Sequence, residues 1–472
     1  MTAIEKIGDF TWKIEKEGDM NVPVIIYASK KLLEKIKGDK TIQQAKNVAS
    51  LPKVIEKVVV CPDAHQGYGF PIGGVAAFPI EDGIITPGGI GFDINCGVRL
   101  LTTNIKVEDF EEKKKEIINK LFKKIPSGVG SGGELEVNKE TMKEVLEKGS
   151  EWAVENGYGR KEDLERTEEN GKMEAANSEN VSEKAIKRGL SQLGTLGSGN
   201  HFLEIQRVDR ILDEEVAQKF GIEKENICVM IHCGSRGLGH QVASDYMKEM
   251  ENHYGHEGLE DRELINAPIR SDLGQKYLSA MNSAVNYAFA NRQIIMEWTR
   301  EVFKKVLPDS KLDLVYDVCH NVAKIEEHKV NKEKKKICVH RKGATRAFGP
   351  GREEVPQIYR DVGQPVLIPG SMGTSSYLLR GTKKAEDLSW GSTAHGAGRV
   401  MSRKQATREE HGGDVKDKLE KQGIALEAKS LKGVAEEAPY AYKDIDEVVK
   451  VSDELGIGQV VAKLKPLAVM KG

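Results

Sequence analysis

The chain has 472 residues, of which 39% are hydrophobic and 31% charged, and its formal net charge is −2. This composition predicts a globular protein with a large core, and the length alone suggests about three domains of ~150 residues. A near-neutral chain has no overall basic field, so any binding to nucleic acid must depend on a local basic patch.

The sequence also predicts a cytoplasmic protein with no membrane partner. It contains no run of about 20 apolar residues that could span a bilayer. The first residues, MTAIEKIGDFTWKI, lack the basic and apolar regions of a secretion signal. The six cysteines are scattered along the chain, which is typical of a reducing compartment and not of a disulfide framework.

The N-terminal part of the chain predicts short strands and helices. Strands are expected at 10–14 and 22–26, followed by a charged helix that ends near Lys40 and a second helix at 41–50. The β-branched run within 58–78 then predicts a strand that leads into glycine-rich turns.

Two groups of polar residues follow predicted strands in this part. Asp63 and His65 are typical of an active-site loop, although a surface turn with a capping aspartate explains them equally well. The stretch 86–100 places Asp93 and Cys96 among glycines, at a D-x-x-C spacing that could share one metal ion. Taken alone, this stretch is more typical of a turn with a buried structural cysteine.

Residues 104–190 are rich in Lys and Glu at helical spacing. We interpret them as peripheral helices, most of whose charges face solvent, with an exposed loop. The part 127–180 is expected to form a peripheral excursion from the main fold.

Three later segments each deliver a histidine into a glycine-rich turn. The segment 226–240 predicts a buried strand, expected to be parallel because its apolar run is continuous. The turn after it contains Arg236 and three glycines, which could cradle a phosphate. The three histidines are His201, His232 and His320.

The last part of the chain combines helices with basic turns. A long helix is predicted at 271–307 and several more within 404–467. The segment 339–351 predicts an anion-binding turn with four basic side chains, which are His340, Arg341, Lys342 and Arg346. His395 lies among small residues, with Arg399 and Arg403 behind it on a predicted helix.

These strand ends together favour a metal site. A single histidine of this kind is more often a structural residue than a ligand. Five candidates exceed the needs of one tetrahedral zinc, so we expect two ions bridged by the Cys96 thiolate. Two adjacent ions suit phosphoryl transfer, because both the attacking and the leaving oxygen need their charge neutralised. The candidate ligands are Asp93, Cys96, His201, His232 and His320.

The sequence resembles the RtcB-type RNA ligases, the tRNA-splicing ligases of archaea and other lineages. The motifs that carry the resemblance occur in order from about Cys61 to Lys471. They are CPDAHQGYGFPIGG, GGIGFDINCGVR, GSGNHFLEIQ, HCGSRGLGH, CHN, PGSMGTSSY and SWGSTAHGAGR.

The resemblance assigns roles to residues of this chain. It implies two manganese ions, one held by Asp93, Cys96 and His201 and the other by Cys96, His232 and His320. It implies that His395 becomes guanylylated. The GTP or GMP pocket it implies consists of Asn200, His201, Phe202, Leu203, Glu204, His320, Asn321, Pro369, Gly370, Ser371, Met372, Ser376, His395, Gly396, Ala397, Gly398, Tyr442 and Lys471. Phosphate and RNA contacts are expected from Arg188, Arg236, Lys342 and Arg399.

The activity implied is GTP-dependent joining of an RNA 2′,3′-cyclic phosphate or 3′-phosphate end to a 5′-hydroxyl end, as in tRNA splicing and RNA repair. It proceeds through histidine–GMP and RNA(3′)pp(5′)G. The substrates would include tRNA halves, and the small protein archease is a possible activator. Two other classes remain open: a dinuclear metal-dependent phosphoesterase, and a non-catalytic RNA-binding protein with structural metals.

For the fold we expect an α+β arrangement of mixed sheets with surrounding helices, in one ligase domain over 1–472. The reason is that ligands between residues 93 and 320 must converge with a nucleophile at 395, so no smaller domain can contain the whole site.

Overall fold

The computed structural model describes residues 2–472 except 129–131, 134 and 136. These residues form mixed sheets surrounded by helices, which is the α+β fold that the sequence predicts. Within the described part of the chain, no helix has the length and apolar character that a bilayer crossing requires.

The strands of the described residues are β1 (Glu5–Lys6), β2 (Thr11–Ile14), β3 (Val24–Tyr27), β4 (Val58–Tyr68), β5 (Phe70–Pro79), β6 (Ile84–Ile85), β7 (Gly97–Lys106), β8 (Phe202–Ile211), β9 (Asn226–Cys233), β10 (Ala267–Pro268), β11 (Leu312–Cys319), β12 (Asn321–Val330), β13 (Glu333–Lys342), β14 (Ala344–Arg346), β15 (Pro365–Ile368), β16 (Ser376–Arg380), β17 (Ser392–Ala394), β18 (Ala425–Ala428) and β19 (Gln459–Lys471).

The α-helices of the same residues are α1 (Lys30–Lys37), α2 (Thr41–Ala49), α3 (Val107–Lys124), α4 (Lys139–Lys148), α5 (Ser150–Glu155), α6 (Lys161–Glu165), α7 (Glu183–Leu190), α8 (Glu214–Lys219), α9 (Arg236–Tyr254), α10 (Asp272–Val306), α11 (Lys383–Ser389), α12 (Arg403–Glu409), α13 (Gly412–Lys421), α14 (Leu431–Glu436) and α15 (Ile445–Leu455).

Two large sheets organise the fold. One has the strand order β1-β2-β3-β4-β5-β13-β12, and the other has the order β11-β7-β9-β8-β19-β16-β15 with β18 beside β19. Two further sheets have only two strands each, β6 with β10 and β14 with β17. Strand β19 lies in a region where the sequence favoured helices. Its 13 residues are mostly buried between neighbouring strands, and tertiary pairing has overridden the local preference.

The predicted parallel pairing of β9 is wrong. Strand β9 is antiparallel to both of its neighbours, β7 and β8. Its alternate residues belong to different core clusters: Val229 and Ile231 to one, Cys228 and Met230 to the other. A central strand that is buried on both faces has a continuous apolar run in either orientation, so the run did not distinguish them.

The long predicted helix is confirmed as α10, which is buried along most of its length. The Ser271 side chain accepts a hydrogen bond from the Gly274 amide and caps its start. The helix ends two residues before Pro308, as expected for a residue that cannot donate a backbone hydrogen bond. Helices α4, α5 and α9 all contact it, and α10 itself packs against β9 of the eight-stranded sheet.

Some charges in 104–190 are buried, as exceptions to the expectation that most of them face solvent. Both Asp163 carboxylate oxygens accept from Arg300 at 2.7 Å, and the Asp163 side chain is 4% exposed. Glu168 accepts from Lys324 at 2.8 Å inside the protein. The peripheral excursion and the single ligase domain over 1–472 stay predictions, and residues 129–131, 134 and 136 of the excursion lie outside the described residues.

Candidate functional site

The eight-stranded sheet brings four of the five predicted metal ligands to one edge. Gly97, which follows Cys96, is paired with Cys233 of β9 and with Cys319 of β11. Phe202, which follows His201, is paired with His232. Because these pairs lie at the same ends of adjacent strands, the sheet register itself places Cys96, His201, His232 and His320 together.

The ligand atoms form two groups of three that share Cys96. In the first group, His201 Nε2 lies 2.7 Å from Asp93 Oδ2 and 3.4 Å from Cys96 Sγ. In the second, His232 Nε2 lies 3.2 Å from Cys96 Sγ and 3.3 Å from His320 Nε2. Within each group all ligand atoms are within 4.8 Å of one another. The grouping coincides with the two ligand sets predicted for two ions.

The chemistry of the cluster fits divalent metal ions. Carboxylate, thiolate and imidazole are the donors for borderline divalent cations. Burial raises the pKa of Cys96 to about 12, so the protein alone leaves this thiol protonated, whereas a bound cation favours the thiolate. Asp93 Oδ1, His232 Nδ1 and His320 Nδ1 are buried without a hydrogen-bond partner among the described residues. The ligand roles nevertheless stay predictions.

An arginine of α10 holds the two metal loops in place. Arg292 Nη1 donates to the carbonyls of Asn95 and Cys233, each at 2.8 Å, and its side chain is fully buried. Its Nε and Nη2 donate to the two carboxylate oxygens of Asp317 at 2.8 Å. A Cβ on Gly97 would lie 2.6 Å from the Val318 carbonyl oxygen and 3.0 Å from this guanidinium, which explains the glycine there. A single arginine within a helix carries no sequence signal for this role.

His395 follows strand β17 and is oriented by Asp63 from β4. His395 Nδ1 lies 2.6 Å from Asp63 Oδ2, and the amides of His395 and Gly396 donate to the same oxygen at 3.0 and 3.3 Å. Burial opposes ionisation of Asp63, but the charge and hydrogen bonds of His395 outweigh it and hold the pKa of Asp63 below its usual value. With a proton on Nδ1, the Nε2 atom keeps its lone pair. The ring centroid lies 4.8 Å from that of His320.

Two predictions about these residues are wrong. Asp63 is fully buried, so the alternative of a surface turn is excluded, and its pairing with His395 was not found from the sequence. Arg399 does not lie on a helix, because α11 ends at Ser389 and α12 begins only at Arg403. Gly398 adopts a φ of 73°, and a Cβ there would lie 1.9 Å from the Asp63 carbonyl oxygen. The backbone at Gly398 is therefore irregular because it approaches the Asp63 carbonyl closely.

A cavity of about 650 Å³ opens beside His395 and the metal cluster. Most residues predicted for the guanylate pocket line it: Asn200, Phe202, Glu204, His320, Asn321, Pro369, Gly370, Ser371, Met372, His395, Gly396, Ala397, Gly398, Tyr442 and Lys471. Three do not. Leu203 is a fully buried residue of β8, His201 belongs to the metal cluster, and Ser376 accepts from the Gly370 amide behind the wall.

Two ionisable side chains that line the cavity, Glu204 and Lys471, have shifted pKa values. Burial raises the pKa of Glu204 to about 8, and Glu204 Oε1 has no hydrogen-bond partner among the described residues. Burial also lowers the pKa of Lys471 to about 8, while its Nζ donates to the Gly199 carbonyl at 2.6 Å. Glu437 accepts from the Tyr442 hydroxyl nearby. Buried donors and acceptors that line a cavity suit recognition of a heterocyclic base.

The predicted anion-binding turn at 339–351 is wrong. His340 is fully buried and accepts from the Thr86 amide at 3.2 Å, and burial lowers its pKa to about 3. Arg341 makes a two-pronged ion pair with Glu326. Arg346 contacts Glu169 at 2.7 Å. These carboxylates come from other parts of the chain, and they occupy the charges that the sequence assigned to anions.

The four predicted phosphate or RNA residues have different surroundings. Lys342 is buried, and its Nζ donates to the carbonyls of Tyr68 and Gly88, so it connects two loops and does not face the cavity. Arg399 lines the cavity and contacts Glu437 at 3.2 Å. In the described part of the chain, Arg188 and Arg236 have no carboxylate within 4.0 Å. Arg188 donates to the Gln241 side chain, and Arg236 donates to the Thr195 hydroxyl and the Gly128 carbonyl.

Comparisons with known proteins identify the family of the chain. The family described as "RtcB: tRNA-splicing ligase RtcB" matches residues 44–472. A protein of Archaeoglobus fulgidus named tRNA-splicing ligase RtcB is 54% identical over 477 residues, covering 99% of both chains. One of the same name from Thermococcus kodakarensis is 52% identical over 479 residues, covering 100% of this chain and 99% of its own. The chain belongs to the RtcB family.

Proposed function

We propose that the protein is an RNA ligase that uses GTP and Mn²⁺ to join 2′,3′-cyclic phosphate or 3′-phosphate ends to 5′-hydroxyl ends, as in tRNA splicing and RNA repair. The observation that carries the proposal is the placement of His395. Its Nδ1 is held by the buried Asp63 carboxylate, and its ring centroid lies 4.8 Å from that of the candidate metal ligand His320. It also lines the cavity of about 650 Å³. Relatives that match the whole chain are named tRNA-splicing ligases.

The first proposed step transfers GMP to the protein. Nε2 of His395 attacks the α-phosphorus of GTP, a P–N bond forms, and the P–O bond to the departing pyrophosphate breaks. Asp63 holds the Nδ1 proton, which fixes the tautomer and stabilises the positive charge that develops on the ring. Glu204 and Lys471, which line the cavity, would contact the polar edge of guanine. The product is a histidine–GMP phosphoramidate.

The next steps involve the RNA ends. Water opens a 2′,3′-cyclic phosphate to a 3′-phosphate, one oxygen of which attacks the GMP phosphorus and breaks the P–N bond. The 5′-hydroxyl of the second strand then attacks the activated 3′-phosphate, forming the phosphodiester and releasing GMP. Arg188 and Arg236 are proposed to hold phosphates of the RNA backbone, since neither has a carboxylate within 4.0 Å in the described part of the chain.

The proposed metal ligands are the two groups of three that share Cys96. Two Mn²⁺ ions bound there would neutralise charge on the transferred phosphate and lower the pKa of attacking groups. Arg292 fixes the carbonyls next to Cys96 and His232, so the ligand loops are positioned before an ion binds. We further propose a cytoplasmic location and activation by archease, both from the family resemblance.

The test is incubation of the purified protein with Mn²⁺ and α-labelled GTP. We expect label on the protein that is labile in acid and stable in alkali, as for a phosphoramidate. His395→Ala should abolish it, and His253→Ala, which changes an exposed histidine near the end of α9, should retain it. Equal labelling of His395→Ala would refute the mechanism. Cleavage of phosphoesters by an unlabelled wild-type protein would instead support a dinuclear phosphoesterase.

A further inference from the structure

Three aromatic rings lie next to one another on the surface between the cavity and helix α9. The centroids of Tyr68 and Phe92 are 6.4 Å apart in an edge-to-face arrangement. Those of Phe92 and His240 are 4.8 Å apart, and the two rings are stacked at 23°. Tyr68 is 65% exposed, His240 is exposed and Phe92 is half-buried. We call Tyr68, Phe92 and His240 the ring platform.

The ring platform runs alongside the reactive groups. Tyr68 contributes to the wall of the cavity that contains His395. Phe92 directly precedes the candidate metal ligand Asp93, and His240 lies one turn after the start of α9. The Tyr68 backbone is held by the buried Lys342, which also binds the Gly88 carbonyl before Phe92. The platform is therefore fixed to the metal loop, and its exposed faces are available to a ligand.

The charges beside the platform identify the ligand chemistry. Arg188 donates to Gln241, the residue after His240, at 3.0 Å. Arg236 begins the same helix and donates to Thr195. Within the described residues, neither guanidinium has a carboxylate within 4.0 Å. Exposed rings next to cations without a close ion pair are the combination that binds single-stranded nucleic acid, with bases on the rings and phosphates on the cations.

We propose that the ring platform stacks the unpaired bases next to the RNA ends that are joined. The inference rests on the proposed function and adds to it a base-binding subsite outside the guanylate cavity. Every base has a π face, so such stacking accepts different sequences at the ends. The adjacent guanidinium groups favour RNA over an apolar protein segment as the occupant, because they complement phosphate charge.

The first test measures stacking directly. An RNA oligonucleotide with 2-aminopurine next to its 3′-phosphate or 5′-hydroxyl end loses fluorescence when that base stacks on a ring. We expect quenching on binding to the wild-type protein and its loss in the double variant Tyr68→Ala/His240→Ala. Tyr68→Phe/His240→Phe should restore it, because the rings return without their polar groups. Equal quenching by the double alanine variant would overturn the proposal.

The second test separates RNA binding from transfer of GMP to the protein, which needs no RNA. In the double alanine variant we expect KM for RNA to rise about tenfold or more, well beyond any change in the rate of protein guanylylation. Tyr254→Ala, at the other end of α9, is the matched control and should leave KM unchanged. An unchanged KM in the double variant overturns the ring platform alone. A wild-type protein that joins no RNA overturns the proposed function.

Discussion

Asp63→Asn is the substitution that most directly tests how His395 is activated. Asp63 Oδ2 accepts three hydrogen bonds, from His395 Nδ1 at 2.6 Å and from the amides of His395 and Gly396 at 3.0 and 3.3 Å. An asparagine that turns its oxygen to these donors keeps the bonds and loses the negative charge. One that turns its amide group to them places N–H against N–H.

The expected loss follows from the strength of the charged hydrogen bond. A hydrogen bond to a charged group contributes about 1.5–3 kcal/mol and one between neutral groups about 0.5–1.5 kcal/mol. The charge matters most while the His395 ring becomes positive in the attack on phosphorus, so we assign the difference between the two, about 1–1.5 kcal/mol, to the barrier. At about 1.4 kcal/mol per factor of ten, the rate of guanylylation should fall roughly 5- to 10-fold.

The assay is single-turnover labelling of the protein with α-labelled GTP and Mn²⁺. Circular dichroism and the thermal midpoint must show that the variant is folded. Asp82→Asn serves as the matched control, since it removes an exposed carboxylate that contacts Lys53 at 2.6 Å. A folded Asp63→Asn protein that is labelled at the wild-type rate would show that the carboxylate does not orient or stabilise the nucleophile.

Three further predictions concern the metal site, the cavity and the core. Cys96→Ala should lose both metal ions and guanylylation, whereas Cys233→Ala should retain them, as checked by metal analysis and labelling; a fully metallated Cys96→Ala would refute the shared ligand. Glu204 has its pKa raised to about 8, so its contribution to stability is present below about pH 4.5 and is lost as the pH rises to about 8. Glu204→Gln should therefore gain free energy of unfolding over the wild type across that range, on the order of 1–4 kcal/mol by urea denaturation, and a constant difference would contradict this. Asp163→Ala removes both carboxylate bonds to the Arg300 Nη atoms and leaves Arg300 only the Glu297 carboxylate, at 3.1 Å, among the described residues, so it should cost about 3 kcal/mol in the same measurement; a loss below about 1 kcal/mol would refute a strong buried pair.

The metal cluster could be predicted because its signal is local. Asp93 and Cys96 are three residues apart, and each histidine lies at or next to the end of an apolar strand, so residue type and strand position together indicated the candidate ligands. Which ligands would share Cys96 came from the family resemblance, and their spatial grouping depends on the sheet register.

What the sequence did not predict depends on partners distant in the chain. Asp63 and His395 are separated by 332 residues, and nothing near either indicates the other. Arg341 and Arg346 have the local sequence of an anion site, but carboxylates from other segments neutralise them inside the protein. Whether β9 is parallel or antiparallel to its neighbours could not be inferred, because a strand buried on both faces has a continuous apolar run in either orientation.

The position of β19 also has a consequence for biosynthesis. This strand pairs with β8 on one side and β16 on the other, and it carries Lys471 into the cavity. A ribosome releases residues 459–471 after all the other strands, so the nascent chain already holds His395 and the candidate metal ligands while the eight-stranded sheet is still in two parts. The two strand edges that await β19 are then open to pairing with other chains. Synthesis through residue 471 both protects these edges and completes the wall of the cavity.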